Sequence, residues 1–212
     1  MKSQVRGGTR WKRFAVVMVP SVAATAAIGV GLAQGALAAS FSISGQEFKV
    51  KADSLVGKDF VQYGSVAAGK DLHGKPFAEP VAVSGFSEAW ISNMCQSVVT
   101  PDVPFIGNVS LELRAGTDPK KPVYAKDIYL DVSSLKADAE FGNIDIGVAA
   151  GSLKDPGIQP GTQANPYGFS QRAKTAKLTN VEQKAWATTA GTFKLSNLSL
   201  KLHKGTKECF TE

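Results

Sequence analysis

The sequence predicts an all-β domain: antiparallel, curved and bulged strands forming a sandwich or an open groove, behind an N-terminal hydrophobic signal segment. Three observations carry this. Apolar residues recur with a period of two, short polar steps interrupt that period, and helical stripes are scarce. The alternation is clearest in Phe48, Val50 and Ala52, with Lys49 and Lys51 between them, and in Val109, Leu111 and Leu113, with Ser110 and Glu112 between them. It returns in Ile128, Leu130 and Val132, in Ile144, Ile146 and Val148, and in Leu198, Leu200 and Leu202. One apolar and one polar face per segment is the pattern of half-buried antiparallel strands. The best helical candidate, residues 86–97, is short and fits either period.

The interruptions share a form. Two small polar residues stand between two apolar ones, with Ser or Asn third, at 52–55, 91–94, 132–135, 141–144, 178–181 and 195–198. An extra residue in a strand is a β-bulge, which bends the strand and keeps its apolar side turned inward. Asn and Ser suit such sites because they tolerate the left-handed region and bond to nearby backbone. The alternative is a series of tight turns between short ordinary strands. Residues 99–107, rich in proline, and residues 151–171, with three Pro and four Gly, break the strand rhythm. The longer one is a lid or contact loop, or a connection with Tyr167 and Phe169 tucked onto the core.

The start of the chain has a different character. Lys2, Arg6, Arg10, Lys12 and Arg13 precede an uncharged stretch, residues 15–39, that contains Ala36-Leu37-Ala38. A basic region, an apolar region and a small-x-small site make residues 1–38 a secretory signal peptide. A retained membrane anchor is the alternative, since 25 uncharged residues are long enough to span a bilayer. Residues 39–212 then form a single β-rich extracytoplasmic domain, secreted or at the cell surface. The net charge of +6 belongs to this leader: without its five basic residues, 19 basic groups face 18 acidic ones. Only Arg114 and Arg172 remain as arginines, so the clustered basic face that nucleic acid requires is missing.

Cys95 and Cys209 both fall in the exported part. In an oxidising compartment they form one disulfide, closing a loop of about 114 residues and contributing roughly 4–5 kcal/mol. Two free thiols are the alternative. The only histidines, His73 and His203, lie in no Cys/His cluster, so the sequence calls for no metal and no other cofactor.

For catalysis, the nearest approach to a nucleophile elbow is Gly85-Phe86-Ser87-Glu88-Ala89, where Ala replaces the last Gly. Its base would have to be His203, the one His after Ser87. A chain with so little helical periodicity does not build the helix-flanked parallel sheet of that enzyme class. For binding, the small residues Ala137, Ala139, Ala185 and Ala187 would leave room on an apolar face, with Phe141, Tyr167 and Phe169 as further lining candidates. A lined apolar cleft holds a lipid or another apolar ligand. Close packing of two sheets on those alanines is the alternative. Strand edges and a near-neutral charge also allow a structural, self-assembling envelope protein or a homo-oligomer.

The segments FSISGQEFKVKADSLVGKDFVQYGSV and TNVEQKAWATTAGTFKLSNLSLKLHKG resemble an uncharacterised family of actinobacterial exported, cell-envelope proteins. The likeness covers essentially the whole chain, and the placing of both cysteines agrees with it. Members of that family often carry the label cholesterol esterase. The resemblance implies an envelope or extracellular location and brings no catalytic or binding residues with it.

Overall fold

Four strands of unusual length dominate the computed structural model, which describes residues 43–211. Residues 1–38, assigned above to the signal segment, and the stretch 15–39 lie outside the described residues. The chain runs β1 (Ile43–Ser44), β2 (Phe48–Lys70), β3 (Pro76–Ser92), β4 (Met94–Val103), β5 (Gly107–Ala115), β6 (Val123–Ala149), β7 (Phe169–Lys194) and β8 (Ser199–Lys204). The domain is all-β, in one eight-stranded sheet whose ladders are antiparallel apart from the two-residue β1, which lies parallel to the end of β2. Among the described residues the one helical turn is the 3-10 turn Ala150–Ser152. Residues 86–97 are strand except for Asn93, falling across the end of β3 and the start of β4.

The sheet closes on itself. β2 pairs with β3 along one edge and with β7 along the other, β3 pairs with β6, and β6 with β7, so these four strands make a barrel. Gly64 pairs with Ala82, Ala82 with Val132, Val132 with Ala185 and Ala185 with Phe48, so one circuit returns to β2 sixteen residues from its start. A stagger four times the strand number tilts the strands more steeply than the ~35–45° of common barrels. The strands therefore wrap around the barrel as well as along it. β2 shows how far: its 23 residues would reach about 75 Å if straight. Yet Ser44 pairs with Lys70 at one end of β2, while four peptide steps, at most about 14 Å, take Ser44 to Phe48 at the other.

Three strands continue past the barrel into an open extension. β3 passes into β4 at Asn93, β5 leads through residues 116–122 into β6, and β7 leads through 195–198 into β8. The extension has the order β2, β4, β5, β8. The backbone amide of Asn93 donates to Gly116 O and that of Gly116 to Ser196 O, which ties the three transitions together.

The bends sit where the polar steps were read. Asn93, Asn143, Asn180 and Asn197 all have φ between 50° and 55°. Ser54 and Ser134 are not in that region, although the ladder between β6 and β7 slips at Val132 and Ser134. The effect is a reset of phase. Ala52 and Leu55, Ile91 and Met94, Phe141 and Ile144, and Leu178 and Val181 all belong to the same core despite a three-residue spacing. Asp59 and Asp127 do the same work, with φ of 51° and 50°, inside Gly57-Lys58-Asp59-Phe60 and Ala125-Lys126-Asp127-Ile128. A side chain at Gly57 would strike the Phe86 ring, its Cβ falling 2.2 Å from Cδ1. Asn93 Nδ2 donates to Asp53 Oδ2 at 3.0 Å and Asn180 Nδ2 to Asp138 Oδ2 at 2.7 Å, so neighbouring bends are bonded across strands.

Two cores result. The first fills the barrel, with Leu55, Phe60, Phe86, Ile128, Leu130, Leu178 and Val181, and Phe60 packs against Phe86 and Phe141 with ring centroids 5.3 and 5.1 Å apart. The second lies outside it, where Ile43, Val61, Tyr63 and Val83 are covered by Ala150 and Leu153, with Ile158 and Ala164 of the long loop packed against them. Tyr129 donates to Gly157 O at 3.2 Å, and the amide of Gln159 donates to Tyr63 Oη at 2.8 Å. Burial pushes the Tyr129 phenol up to about 12. The loop is thus a fixed cover over the second core.

Asn143 is exposed, so its role is carried by its backbone. We expect Asn143→Val to cost about 1–2 kcal/mol, and Asn143→Gly to stay within about 0.5 kcal/mol of the parent in urea unfolding.

Candidate functional site

β6 leaves β3 at Val132 and continues to Ala149 paired with β7 alone. Beneath that free edge the barrel core opens into a groove of about 160 Å³. One wall is the β6 segment with Leu135, Ala137, Ala139 and Phe141. Across from it stand Leu55, Phe60 and Phe86, and Leu130 of β6, with Leu178 and Val181 of β7, completes the apolar lining. A narrower hollow of about 30 Å³ adjoins it, since both are lined by Leu55, Leu130, Val181 and Gln183.

Three polar side chains reach this apolar space: Gln62, Ser84 and Gln183. Gln62 Nε2 donates to Ser84 Oγ at 3.0 Å, and Gln171 Nε2 donates to Gln62 Oε1 at 2.6 Å. Ser84 and Gln183 are buried. The groove is an apolar slot with a small hydrogen-bonding patch on one side, the usual makeup of a small-molecule site.

The lining candidates read from the sequence separate into groups. Ala137, Ala139 and Phe141 line the groove. Ala185 is fully buried opposite Phe48 and Val132, where it allows close approach of strands. Ala187 belongs to the second core, because the ladder slips between Asp131 and Val132 and leaves Trp186 as an extra residue. Tyr167 and Phe169 are 91% and 65% exposed and line neither hollow. Periodicity did not reveal Gln62, Ser84 and Gln183. Their signal was a polar residue at an inward position between apolar neighbours, as in Phe60, Gln62 and Val181, Gln183.

Ser87 and His203 are held apart, on β3 and β8, the two ends of the strand order. Ser87 Oγ donates to Asp59 Oδ2 at 2.7 Å and lies 3.3 Å from Lys58 O. His203 faces Glu112, its Nε2 3.9 Å from Oε2 and without a hydrogen-bond partner. The geometry makes no nucleophile–base pair of them.

Cys95 and Cys209 are joined as a disulfide. It fastens the C-terminal tail over one face of β4 and β5. The amide of Lys207 donates to Ser110 Oγ at 2.8 Å, that of Cys209 to Ser97 Oγ at 3.0 Å, and Lys49 pairs with Glu208 at 2.9 Å. Glu112 is buried under this tail, 2.8 Å from Arg114 Nε and 3.4 Å from Lys207 Nζ. Its hydrogen bond from Arg114, with Lys207 nearby, holds the carboxyl below the usual carboxylate range against the burial that would raise it.

A larger cleft of about 460 Å³ lies among Asp59, Asn143, Asp145, Lys154, Arg172 and Lys174. Arg172 Nε is already paired with Asp145 Oδ2 at 2.9 Å, and the charged side chains balance, three acids, counting Asp155, against three bases. It selects no ligand charge.

The chain belongs to the family of unknown function DUF6230. The family model matches residues 44–210, essentially the whole described domain. No curated protein and no solved structure matches the chain.

The Glu112 arrangement has a pH signature. A carboxylate held below its usual range contributes stability above its unfolded pKa of about 4.3, and that stability is lost as pH falls through the lower folded value. Glu112→Gln is expected to lower the urea midpoint at pH 7, and the gap to the parent to narrow as the pH falls below about 4.

Proposed function

We propose that this domain is a non-catalytic binding module that holds an apolar ligand, a lipid chain or a comparable ring, in the groove beneath β6. The observation that carries the reading is the division of the alanines. Ala52, Ala89, Ala115, Ala125, Ala173, Ala176 and Ala185 are at most 5% exposed and serve strand packing. Ala137 and Ala139 are not buried and face a groove. Alanines that only allowed packing would be covered, as the first set is.

Size narrows the ligand. About 160 Å³ is close to the ~150 Å³ of an engineered cavity that accepts benzene, and below the ~300–1,000 Å³ of pockets that enclose drug-sized molecules. The groove therefore takes one ring or the end of one acyl chain, and the rest of the molecule projects past the open edge of β6. Gln62 and Ser84 favour a ligand with one hydrogen-bonding group near its apolar part. The uncharged stretch 15–39 behind five basic residues supports export, placing this function at the cell surface or outside the cell. The esterase reading has no support from Ser87 and His203.

Binding of a fluorescent polyene fatty acid to the full chain tests the groove. Ala139→Trp is expected to raise the dissociation constant at least about tenfold by filling the slot, while Tyr167→Ala leaves it unchanged. No uptake by the parent, or equal uptake by Ala139→Trp, would sink the proposal.

A further inference from the structure

Gln183 is buried with its side chain unbonded. It stands on β7 two residues after Val181 and is only 6% exposed. It lines both the groove beneath β6 and the narrower hollow that adjoins it. Among the described residues its carboxamide has no hydrogen-bond partner. Nor is that group sealed in: the one fully enclosed polar side-chain atom without a partner, among the described residues, is His203 Nε2. The Gln183 carboxamide is therefore reachable from the hollows, with an acceptor oxygen and two donor hydrogens on offer. A buried amide left unpaired destabilises a fold, and an aliphatic side chain in the same place would not.

A series of bonds ends at the same space. Gln171 Nε2 donates to Gln62 Oε1, and Gln62 Nε2 donates to Ser84 Oγ. Ser84 is 5% exposed, and its own hydroxyl proton has no acceptor among the described residues. The series runs one way, so it presents a donor to the groove. Among the described residues, none that lines either hollow is charged. An ionised group brought there would lose its hydration and meet no counter-charge. Ser84 thus supplies a donor and Gln183 both a donor and an acceptor, and only a neutral group is matched to them. A hydroxyl answers both, since it accepts from one and donates to the other, whereas an ether oxygen only accepts.

We infer that Gln183 selects the ligand, and that the ligand is a neutral apolar alcohol whose hydroxyl donates to Gln183 Oε1 and accepts from Ser84 Oγ. This rests on the reading that the groove holds a ligand, and the test separates the two. Three small ring probes fit a space of this size: benzyl alcohol, its isomer methoxybenzene, which lacks the donor, and benzoate, which is charged at pH 7. Each is titrated into the full chain and followed by the side-chain amide signals of Gln183 in nitrogen–proton correlation spectra. Benzyl alcohol is expected to bind about tenfold more tightly than methoxybenzene, and benzoate more weakly than either. Gln183→Leu is expected to bind the alcohol and the ether alike, with a urea midpoint at or above the parent's, because it removes an unpaired buried amide. Equal binding of alcohol and ether by the parent, lost from both in Ala139→Trp, overturns the inference and leaves the groove reading standing, with solvent as the partner of the amide. A preference for the alcohol that survives Gln183→Leu, or a preference for benzoate, also overturns it. No binding of any of the three overturns both.

Discussion

A strand that wraps a steep barrel cannot keep the same face inward for twenty residues by simple alternation, because twist carries its side chains away from the core. Here single Asn and Asp residues in the left-handed region reset the phase, and the rest of the structure depends on them. Each costs an ordinary residue of the order of 1–2 kcal/mol, less for Asn and Asp. Each returns an apolar side chain to the interior, worth about 1.5–3 kcal/mol when fully buried. The balance favours the bend wherever an apolar residue follows it, as Phe60 follows Asp59 and Ile128 follows Asp127. Without these resets, Phe60, Gln62 and the residues beyond would change faces, since a one-residue slip exchanges the two sides of a strand.

The same resets explain why there are two cores and one groove. After Asp59, β2 turns Phe60 and Gln62 inward and Val61 and Tyr63 outward. The outward set would be an exposed apolar patch if nothing covered it, and the 150–168 loop supplies the cover through Leu153, Ile158 and the tyrosine hydrogen bonds. Committed to that outer face, the loop leaves the free edge of β6 open on the inner one. The polar counterpart is the C-terminal tail, which uses the disulfide, Ser97, Ser110 and Glu112 to cover the outer side of β4 and β5. Both covers lie on the outside, so the inner apolar side is the one that emerges uncovered at β8.

Much of this was legible in the sequence because period two and the polar steps are local signals. The alternation of Phe48, Val50 and Ala52 and the step at Leu178-Thr179-Asn180-Val181 report directly on strand and bend. Asp59 and Asp127 escaped notice because their flanking inward residues are Gly57 and Ala125, too small to mark an apolar position. Strand length was illegible for a related reason: a left-handed residue interrupts alternation without interrupting pairing, so what reads as several short runs is one strand of 23–27 residues. Pairing of Gly64 with Ala82 and of Ala185 with Phe48 is set by closure of the barrel, which no local pattern encodes. The site was half legible. Ala137 and Ala185 look alike in sequence, and only the partners across the sheet decide that one lines a groove and the other is packed shut.

The groove is a feature the fold does not need. It is open along the β6 edge, where Leu135 is 41% exposed and Ala137 and Ala139 are not buried, so apolar surface stays in water there at a cost of about 25 cal/mol per Å². Larger aliphatic side chains at 137 and 139 would remove it, because both positions already point at the space. A sheet that had only to be stable would be filled there, as it is filled around Phe60 and Ile128. The alanine wall keeps the space open, and the hydrogen-bonded Gln62 and Ser84 at its side give it a polar end, the combination on which the proposed binding of a small amphiphile rests.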